Sequence, residues 1–302
     1  MPIQITPLNF TLEHINLAGL ACGNETKKPL LCLHGYLDNA ASYLPLMQSS
    51  EVLQDYYIIA LEWPGHGFSD HRAVGAHYHF FDYVGDLLAL FTRYNWPAID
   101  IVGHSMGAMI ASAFAAAFPE KVKSLTLLDA YGFINTEEIN TTEQVRNGLL
   151  SRIKAPKLNK TFSKQAALKA RTMASDLSEE NASLLIERAI VAVTTKIGGT
   201  SCDNVYSKLY QWRSDPRLRT LSPYRLSLTQ AQQLFSDIKC PMQLIYGDKG
   251  MSTVTRSLSL FCNKAEYFTK TKLTAGHHVH MEQAIKCAHV LNQFLNKIKT
   301  SV

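Results

Sequence analysis

The stretch that decides the fold is IVGHSMGAMIASAFAAAFPEK, from Ile101 to Lys121. An apolar run that predicts a buried strand ends in Gly-His-Ser-Met-Gly, and small apolar residues typical of a helix follow until Pro119. A serine between two glycines at such a junction lies on a sharp turn, which exposes its hydroxyl at the end of the sheet. The strand before and the helix after it therefore predict that Ser105 is a nucleophile, whereas the five-residue pattern alone would be weak evidence.

Short apolar segments on both sides of this junction alternate with helical patterns. Near-continuous apolar runs are typical of strands that are covered on both faces, as in a mostly parallel sheet. The predicted strands are 29–35, 56–63, 98–105, 124–130 and 241–248, and the predicted helices are 80–95, 106–118 and 284–299. Two earlier segments, 5–14 and 15–23, alternate more strictly and predict an antiparallel pair. The fold class is therefore α/β.

The segment from about residue 131 to residue 224 interrupts this alternation. It contains long helical patterns, such as SEENASLLIERAIVAVTTK (178–196), and no convincing strand. We therefore predict a core formed by residues 1–130 and 225–302, with a helical cap of residues 131–224 inserted after the sixth strand. We expect the cap to cover the site and to set its specificity. Aromatic candidates for an apolar wall are Tyr206, Tyr210 and Trp212, although packing inside the cap is the commoner role for such residues.

Composition limits the possible classes of protein. The chain has 302 residues, of which 46% are hydrophobic and 18% charged, as in a globular protein. Its start lacks the features of a signal peptide and no apolar run reaches about 18 residues, so we expect no membrane span. The six cysteines lack the spacing of a zinc site or a disulfide framework, which predicts a cytoplasmic protein.

The net charge of +5 is mild, but a basic stretch covers residues 146–171. No nucleic-acid-binding motif accompanies it, so we expect no nucleic-acid partner. A solvated helical face is the simpler interpretation, and steering of anionic substrates is the alternative.

Several motifs together resemble those of the α/β-hydrolase superfamily, and most of all its serine hydrolase-like group. In chain order they are LLCLHGYLDNAASY (30–43), ALEWPGHGFSD (60–70), the serine turn, and LTAGHHVHMEQ (273–283). Glu62 stands where the superfamily commonly has an aspartate. The resemblance runs from about residue 10 to the end of the chain. It implies a mostly parallel eight-stranded sheet with helices on both faces, a helical cap, and a hydrolase that needs no cofactor and no metal.

The resemblance also assigns an oxyanion hole. The backbone N–H groups of Tyr36 and Met106 would stabilise the negative oxygen of the tetrahedral intermediate that forms when Ser105 attacks. The identity of the side chain matters little at such a position, because the donor belongs to the backbone.

The terminal motif supplies the general base, which must take the proton of the serine hydroxyl. By resemblance this base is His277, which directly follows a glycine and lies five residues before Glu282. His278 is the alternative base. Two further histidines lie nearby. His280 is expected to support the loop, and His289 to lie on the last helix.

The acid that orients the base has two candidates. The chain order Ser…Asp…His allows Asp129, at the end of the predicted strand 124–130, and Asp248, at the end of the predicted strand 241–248. In many relatives the acid follows the later strand in a G-x-x-D pattern, and here that frame has Gly250 at the acid position. Some relatives carry the acid after the earlier strand, so we favour Asp129 and keep Asp248 as the alternative.

These features predict a serine hydrolase, most simply a carboxylesterase that cleaves a small ester through an acyl-Ser105 intermediate. Thioester hydrolysis and carbon–carbon bond hydrolysis by the same three residues are alternatives. A non-catalytic ligand-binding protein on a hydrolase scaffold is a third. The expected partner is a small-molecule ester or thioester, and the sequence also allows a homodimer.

Overall fold

Ten strands are present in the computed structural model, which describes residues 3–49, 55–154, 160–197 and 205–299. They are β1 Ile5–Thr11, β2 Asn16–Cys22, β3 Lys28–Leu33, β4 Tyr56–Leu61, β5 Ile99–His104, β6 Val122–Leu128, β7 Ile190–Ile197, β8 Val205–Trp212, β9 Met242–Gly247 and β10 Phe268–Leu273. Eight of them form one sheet in the order β1-β2-β4-β3-β5-β6-β9-β10. Only the pairs β1–β2 and β2–β4 in this sheet are antiparallel. The predicted mostly parallel, eight-stranded sheet is therefore confirmed.

Helices cover both faces of this sheet. They are α1 Leu44–Met47, α2 Phe80–Arg93, α3 Met106–Ala117, α4 Thr141–Ile153, α5 Lys164–Met173, α6 Glu179–Ala189, α7 Leu228–Ser236, α8 Ser252–Leu260, α9 Val279–Glu282 and α10 Ala284–Lys299. Leu31 and Leu33 belong to the apolar cluster under α2 and α3, whereas Leu30 and Cys32 belong to the cluster under α1 and α10. The side chains of β3 alternate in this way because successive residues of a strand point to opposite faces.

The segment between β6 and β9 is not entirely helical, so the prediction of a helical cap was wrong in this respect. The helix predicted over 178–196 ends at Ala189, and β7 begins at the next residue and pairs with β8 as an antiparallel hairpin. The sequence from Ile190 reads Ile-Val-Ala-Val-Thr-Thr, and β-branched residues of this kind favour strands over helices. We call residues 131–224 the insertion below. Its boundaries as a domain stay a prediction.

The aromatic residues proposed for a pocket wall pack inside the insertion instead. Tyr210 and Trp212 lie against Phe162 and the buried side chain of Ile186, and the ring centroids of Phe162 and Trp212 are 4.9 Å apart. The side chain of Tyr206, like Lys157 and Cys202, lies outside the described residues. Within the described ranges, no helix combines the length and the hydropathy that crossing a membrane requires.

Candidate active site

Ser105 occupies the turn between β5 and α3. Its φ of 50° and ψ of −117° lie in a region that residues with a side chain rarely adopt, at a cost of about 1–3 kcal/mol. The flanking glycines make this turn possible: a Cβ atom on Gly103 would lie 2.6 Å from the backbone of Ala108, and one on Gly107 would overlap the carbonyl oxygen of Leu33. The turn places Ser105 at the carboxyl end of the central strands, in the wall of a cavity.

His277 and Asp129 line the same cavity and contact each other. The His277 Nδ1 atom lies 2.7 Å from Oδ2 of Asp129. Asp129 directly follows β6, is 1% exposed and accepts backbone hydrogen bonds from Gly247 at 3.0 Å and Met251 at 2.8 Å. These donors fix the carboxylate, which in turn fixes the proton of His277 on Nδ1. The other ring nitrogen, Nε2, is then free to accept a proton, as a general base requires.

The alternative acid, Asp248, does not reach this histidine. Its side chain is exposed and accepts a hydrogen bond from the backbone N–H of Ala275 at 3.0 Å. By contrast, a Cβ atom on Gly250 would overlap the carboxylate of Asp129. The Asp129 carboxylate therefore fills the space beside position 250, where the G-x-x-D frame of many relatives has the acid.

The alternative base, His278, is outside the set of residues that line the cavity. Its side chain is 6% exposed, with Nδ1 2.7 Å from Asp176 and Nε2 3.4 Å from Asp38. Burial lowers the pKa of His278, but the two carboxylates outweigh it and raise that pKa from 6.5 to about 9. His278 is therefore protonated at neutral pH, and an imidazolium has no lone pair with which to act as a base.

Two arginines of the insertion contact buried carboxylates of the core. Arg188 forms a bidentate pair with Glu62, with N–O distances of 2.7 and 2.9 Å. Arg171 donates to Asp38. Both carboxylates are fully or almost fully buried, so removing either arginine would leave an uncompensated charge. Arg171 belongs to the basic stretch 146–171, which is therefore more than a solvated face.

One group of side chains has the composition of a metal site. Ligand atoms of Asp38, His104 and His278 lie within 4.8 Å of one another, and all three residues are buried. However, the Arg171 guanidinium already contacts Asp38 and lies 3.4 Å from Nε2 of His278. Because this cation already contacts two of the three side chains, we assign no metal to the group.

The loop that carries Tyr36 passes directly beside the serine turn. A Cβ atom on Gly35 would lie 3.2 Å from Cβ of Ser105 and 2.8 Å from Nδ1 of His104. In the part of the chain that the structure describes, the Tyr36 backbone N–H has no hydrogen-bond acceptor. Met106 is the first residue of α3, so its N–H has no acceptor within the helix. Neither of the two N–H groups expected for the oxyanion hole is therefore bound to another acceptor among the described residues.

Two histidines from the motifs 30–43 and 60–70, His34 and His66, shape this loop. Nδ1 of His34 donates to the carbonyl oxygen of Gly35 at 2.7 Å, and its Nε2 accepts from the backbone of Trp63 at 3.1 Å. His66 accepts from the backbone of Leu37 at 3.2 Å. Burial lowers the pKa of His34 to about 4 and that of His66 to about 3. Both are therefore neutral and able to accept at physiological pH.

The cavity beside Ser105 has a volume of about 520 Å³. Its inner wall is apolar, and its rim carries charged residues. The inner wall includes Met109, Tyr131, Phe133, Leu260 and Phe261, and the charged rim residues are Glu137, Glu138 and Arg256. The wall is thus formed by the segment that follows β6 together with α3, α7 and α8, whereas Tyr210 and Trp212 are not among the lining residues.

The ion pairs of His278 predict how stability depends on pH. Because its pKa is higher in the folded protein, at about 9, than the ordinary 6.5, its contribution is fully present below pH 6.5 and is lost as the pH rises through 9. The contribution corresponds to roughly 3 kcal/mol. We expect His278→Gln to lower the Tm most near pH 6 and to converge with the parent protein by pH 10. Thermal unfolding from pH 6 to pH 10 measures this difference in Tm, and the exposed His289→Gln serves as the control. A Tm difference that stays constant with pH would contradict the assignment.

The chain is similar to known proteins over most of its length. The family model for the α/β hydrolase fold matches residues 28–284. The chain is 29% identical over 294 residues to a serine hydrolase-like protein of Danio rerio, an alignment that covers 92% of this chain and 85% of that protein. It is 28% identical over 311 residues to serine hydrolase-like protein 2 of Homo sapiens, and this alignment covers 97% of this chain and 95% of that protein. The crystal structure of a hypothetical protein from Pseudomonas aeruginosa PAO1 superposes on this chain with a TM-score of 0.83 and a sequence identity of 29%. The superposition covers 96% of this chain and 99% of that chain.

Proposed function

The chain belongs to the α/β-hydrolase family and is similar to its serine hydrolase-like group, and on this premise we propose that it hydrolyses carboxylic esters. In this proposal Ser105 is the nucleophile, His277 the general base and Asp129 the acid that orients the base. The observation that supports it most is that these three side chains line one cavity, with His277 hydrogen-bonded to Asp129 at 2.7 Å.

The proposed reaction gives each of these groups one role. Oγ of Ser105 attacks the carbonyl carbon of the ester while Nε2 of His277 takes the hydroxyl proton. The N–H groups of Tyr36 and Met106 bind the negative oxygen of the tetrahedral intermediate. The C–O bond to the leaving alcohol breaks, and His277 gives its proton to that oxygen. Water then attacks the acyl-Ser105 by the same steps, and the acid is released. Asp129 stabilises the imidazolium that forms in each half of the reaction.

The proposal is tested with a fluorophosphonate probe, which phosphonylates only an activated serine. We expect the folded protein to be labelled at Ser105, as mapped by mass spectrometry, and the heat-denatured protein to remain unlabelled. Folded protein that is neither labelled nor turns over p-nitrophenyl esters would instead be a ligand-binding protein on this scaffold.

The apolar inner wall of the cavity predicts the dependence on acyl length. Burying one methylene group contributes about 0.8 kcal/mol, or a factor of about 4 in kcat/KM. We expect kcat/KM for p-nitrophenyl esters to rise by about this factor per methylene from acetate to butanoate, and then to level off when the cavity is full. Ser257→Phe, which fills part of the cavity from α8, should slow the longer esters and spare the acetate. A kcat/KM that falls from acetate onward would contradict this prediction.

We further propose a cytoplasmic location. The described cysteines, Cys22, Cys32, Cys240, Cys262 and Cys287, are free thiols, which supports a reducing compartment. A homodimer stays a prediction.

A further inference from the structure

The backbone of His277 is held on both sides of its Cα atom. Its carbonyl oxygen accepts a hydrogen bond from Nε2 of His104 at 3.0 Å, and its N–H donates to a carboxylate oxygen of Asp176. His104 directly precedes Ser105, whereas Asp176 belongs to the insertion, between α5 and α6. The main-chain position of the proposed base therefore depends both on the serine turn and on the insertion.

The side chain of Asp176 is itself fixed by charge. Its second carboxylate oxygen lies 2.7 Å from Nδ1 of the protonated His278. His278 also faces Asp38, which pairs with Arg171 of the same insertion. Desolvation by burial raises the pKa of Asp176. The hydrogen bonds from His278 and from the His277 backbone outweigh this effect and hold that pKa well below its usual range. Asp176 is thus an anion that accepts from two donors at once.

Gly276 lets this carboxylate reach the backbone. A Cβ atom at position 276 would overlap Oδ2 of Asp176 and would lie 2.9 Å from Oε1 of Glu282. Glu282 in turn accepts from the N–H of Gly276 at 3.0 and 3.1 Å. The successive N–H groups of Gly276 and of His277 itself are therefore bound by two different carboxylates, Glu282 from the core and Asp176 from the insertion.

We propose that Asp176 is a positioning residue for the reaction, and that the docked insertion completes the active site by fixing the backbone of His277. The inference rests on the proposed function of His277. A base must lie within hydrogen-bond reach of the nucleophile, and a displacement of about 1 Å costs on the order of 10²-fold in rate. Asp176 is outside the set of residues that line the cavity, so it acts through His277 and not on the substrate.

The test begins with Asp176→Asn, which keeps the shape but replaces one acceptor oxygen with an NH₂ group that faces a donor. We expect kcat to fall by about 10²-fold per folded molecule while KM changes little, because the cavity wall is intact. The matched control is Glu187→Gln, which breaks an exposed ion pair with Lys164 inside the same insertion and should leave kcat unchanged. An unchanged kcat in Asp176→Asn would overturn the proposal.

A double variant separates positioning from a general loss of structure. In a His277→Ala background no imidazole remains to be positioned, so adding Asp176→Asn should leave the residual rate unchanged. If the two losses multiply instead, Asp176 acts on something other than His277 and the proposal fails.

A third readout does not need turnover. We expect the Nδ1 proton of His277, held by Asp129 at 2.7 Å, to give a downfield proton resonance, which is assigned by its loss in His277→Ala. We expect Asp176→Asn to shift or broaden this resonance and Glu187→Gln to leave it in place. If the parent protein lacks esterase activity but the resonance responds, the positioning of His277 stands and the hydrolase proposal falls. A resonance that is the same in Asp176→Asn and in the parent protein would overturn the positioning role.

Discussion

Replacement of Ser105 by alanine is expected to lower kcat for p-nitrophenyl acetate by about 10⁵–10⁶-fold. Without the hydroxyl no acyl-enzyme can form, and the remaining rate comes from substrate binding and from the N–H groups of Tyr36 and Met106. The variant should fold normally, because alanine and serine meet the same backbone strain at a φ of 50°. Steady-state assays at high protein concentration measure the residual rate, and thermal unfolding verifies the fold.

A matched control is available in the helix that follows. Ser112 lies on α3, where its hydroxyl donates to the carbonyl oxygen of Ala108 at 2.8 Å, and it is outside the residues that line the cavity. Ser112→Ala should keep kcat within a factor of about 3 of the parent, since it loses only one local hydrogen bond. If Ser105→Ala retained a similar rate, another nucleophile would have to be sought.

The second large effect is expected for Asp129→Asn, with a loss in kcat of about 10⁴-fold. The uncharged amide stabilises the imidazolium poorly, and an NH₂ group that faces His277 would donate to Nδ1 and place the imidazole proton on Nε2 instead. The NH₂ group would also face one of the two backbone donors, Gly247 and Met251, that the carboxylate accepts. We therefore expect a loss of stability of about 1–3 kcal/mol as well. Rates must be normalised to the folded fraction.

Asp248→Asn is the control that separates the two acids. Its carboxylate is exposed and accepts only from the backbone of Ala275 among the described residues, so we expect kcat to change by no more than about threefold. A large loss of kcat in Asp248→Asn together with a small one in Asp129→Asn would reverse the assignment.

The sequence predicts the sheet well where strands are buried on both faces. The residues of β3, β4, β5 and β6 form apolar runs because helices cover both sides of the sheet. The edge strand β10, Phe268–Leu273, was not predicted as a strand, since Lys270 and Lys272 are exposed and break the apolar run. The hairpin of β7 and β8 was missed because the pattern of α6 continues into it without a proline or glycine.

The candidate site is predicted as far as local patterns extend. Ser105 and His277 each lie in a motif of consecutive residues, which is why the sequence predicts them. Both residues line one cavity in the structure. The contacts that hold the proposed base, His277, cannot be predicted from any spacing in the sequence. Asp176 is 101 residues from His277 along the chain, in a segment that reads only as a link between two helices. The protonation of His278 likewise depends on two carboxylates that only the folded chain brings to it.

The overlap between position 250 and the Asp129 carboxylate has a consequence for surveys of whole genomes. β6 and β9 are parallel neighbours, with Leu128 paired to Ile245, so a carboxylate carried by either strand can be delivered to the same imidazole. A survey that requires an acidic residue at the position of Gly250 would classify this chain as a pseudoenzyme. Such surveys should ask whether a carboxylate lies beside the histidine in the folded structure, whichever of the two neighbouring strands, β6 or β9, carries it.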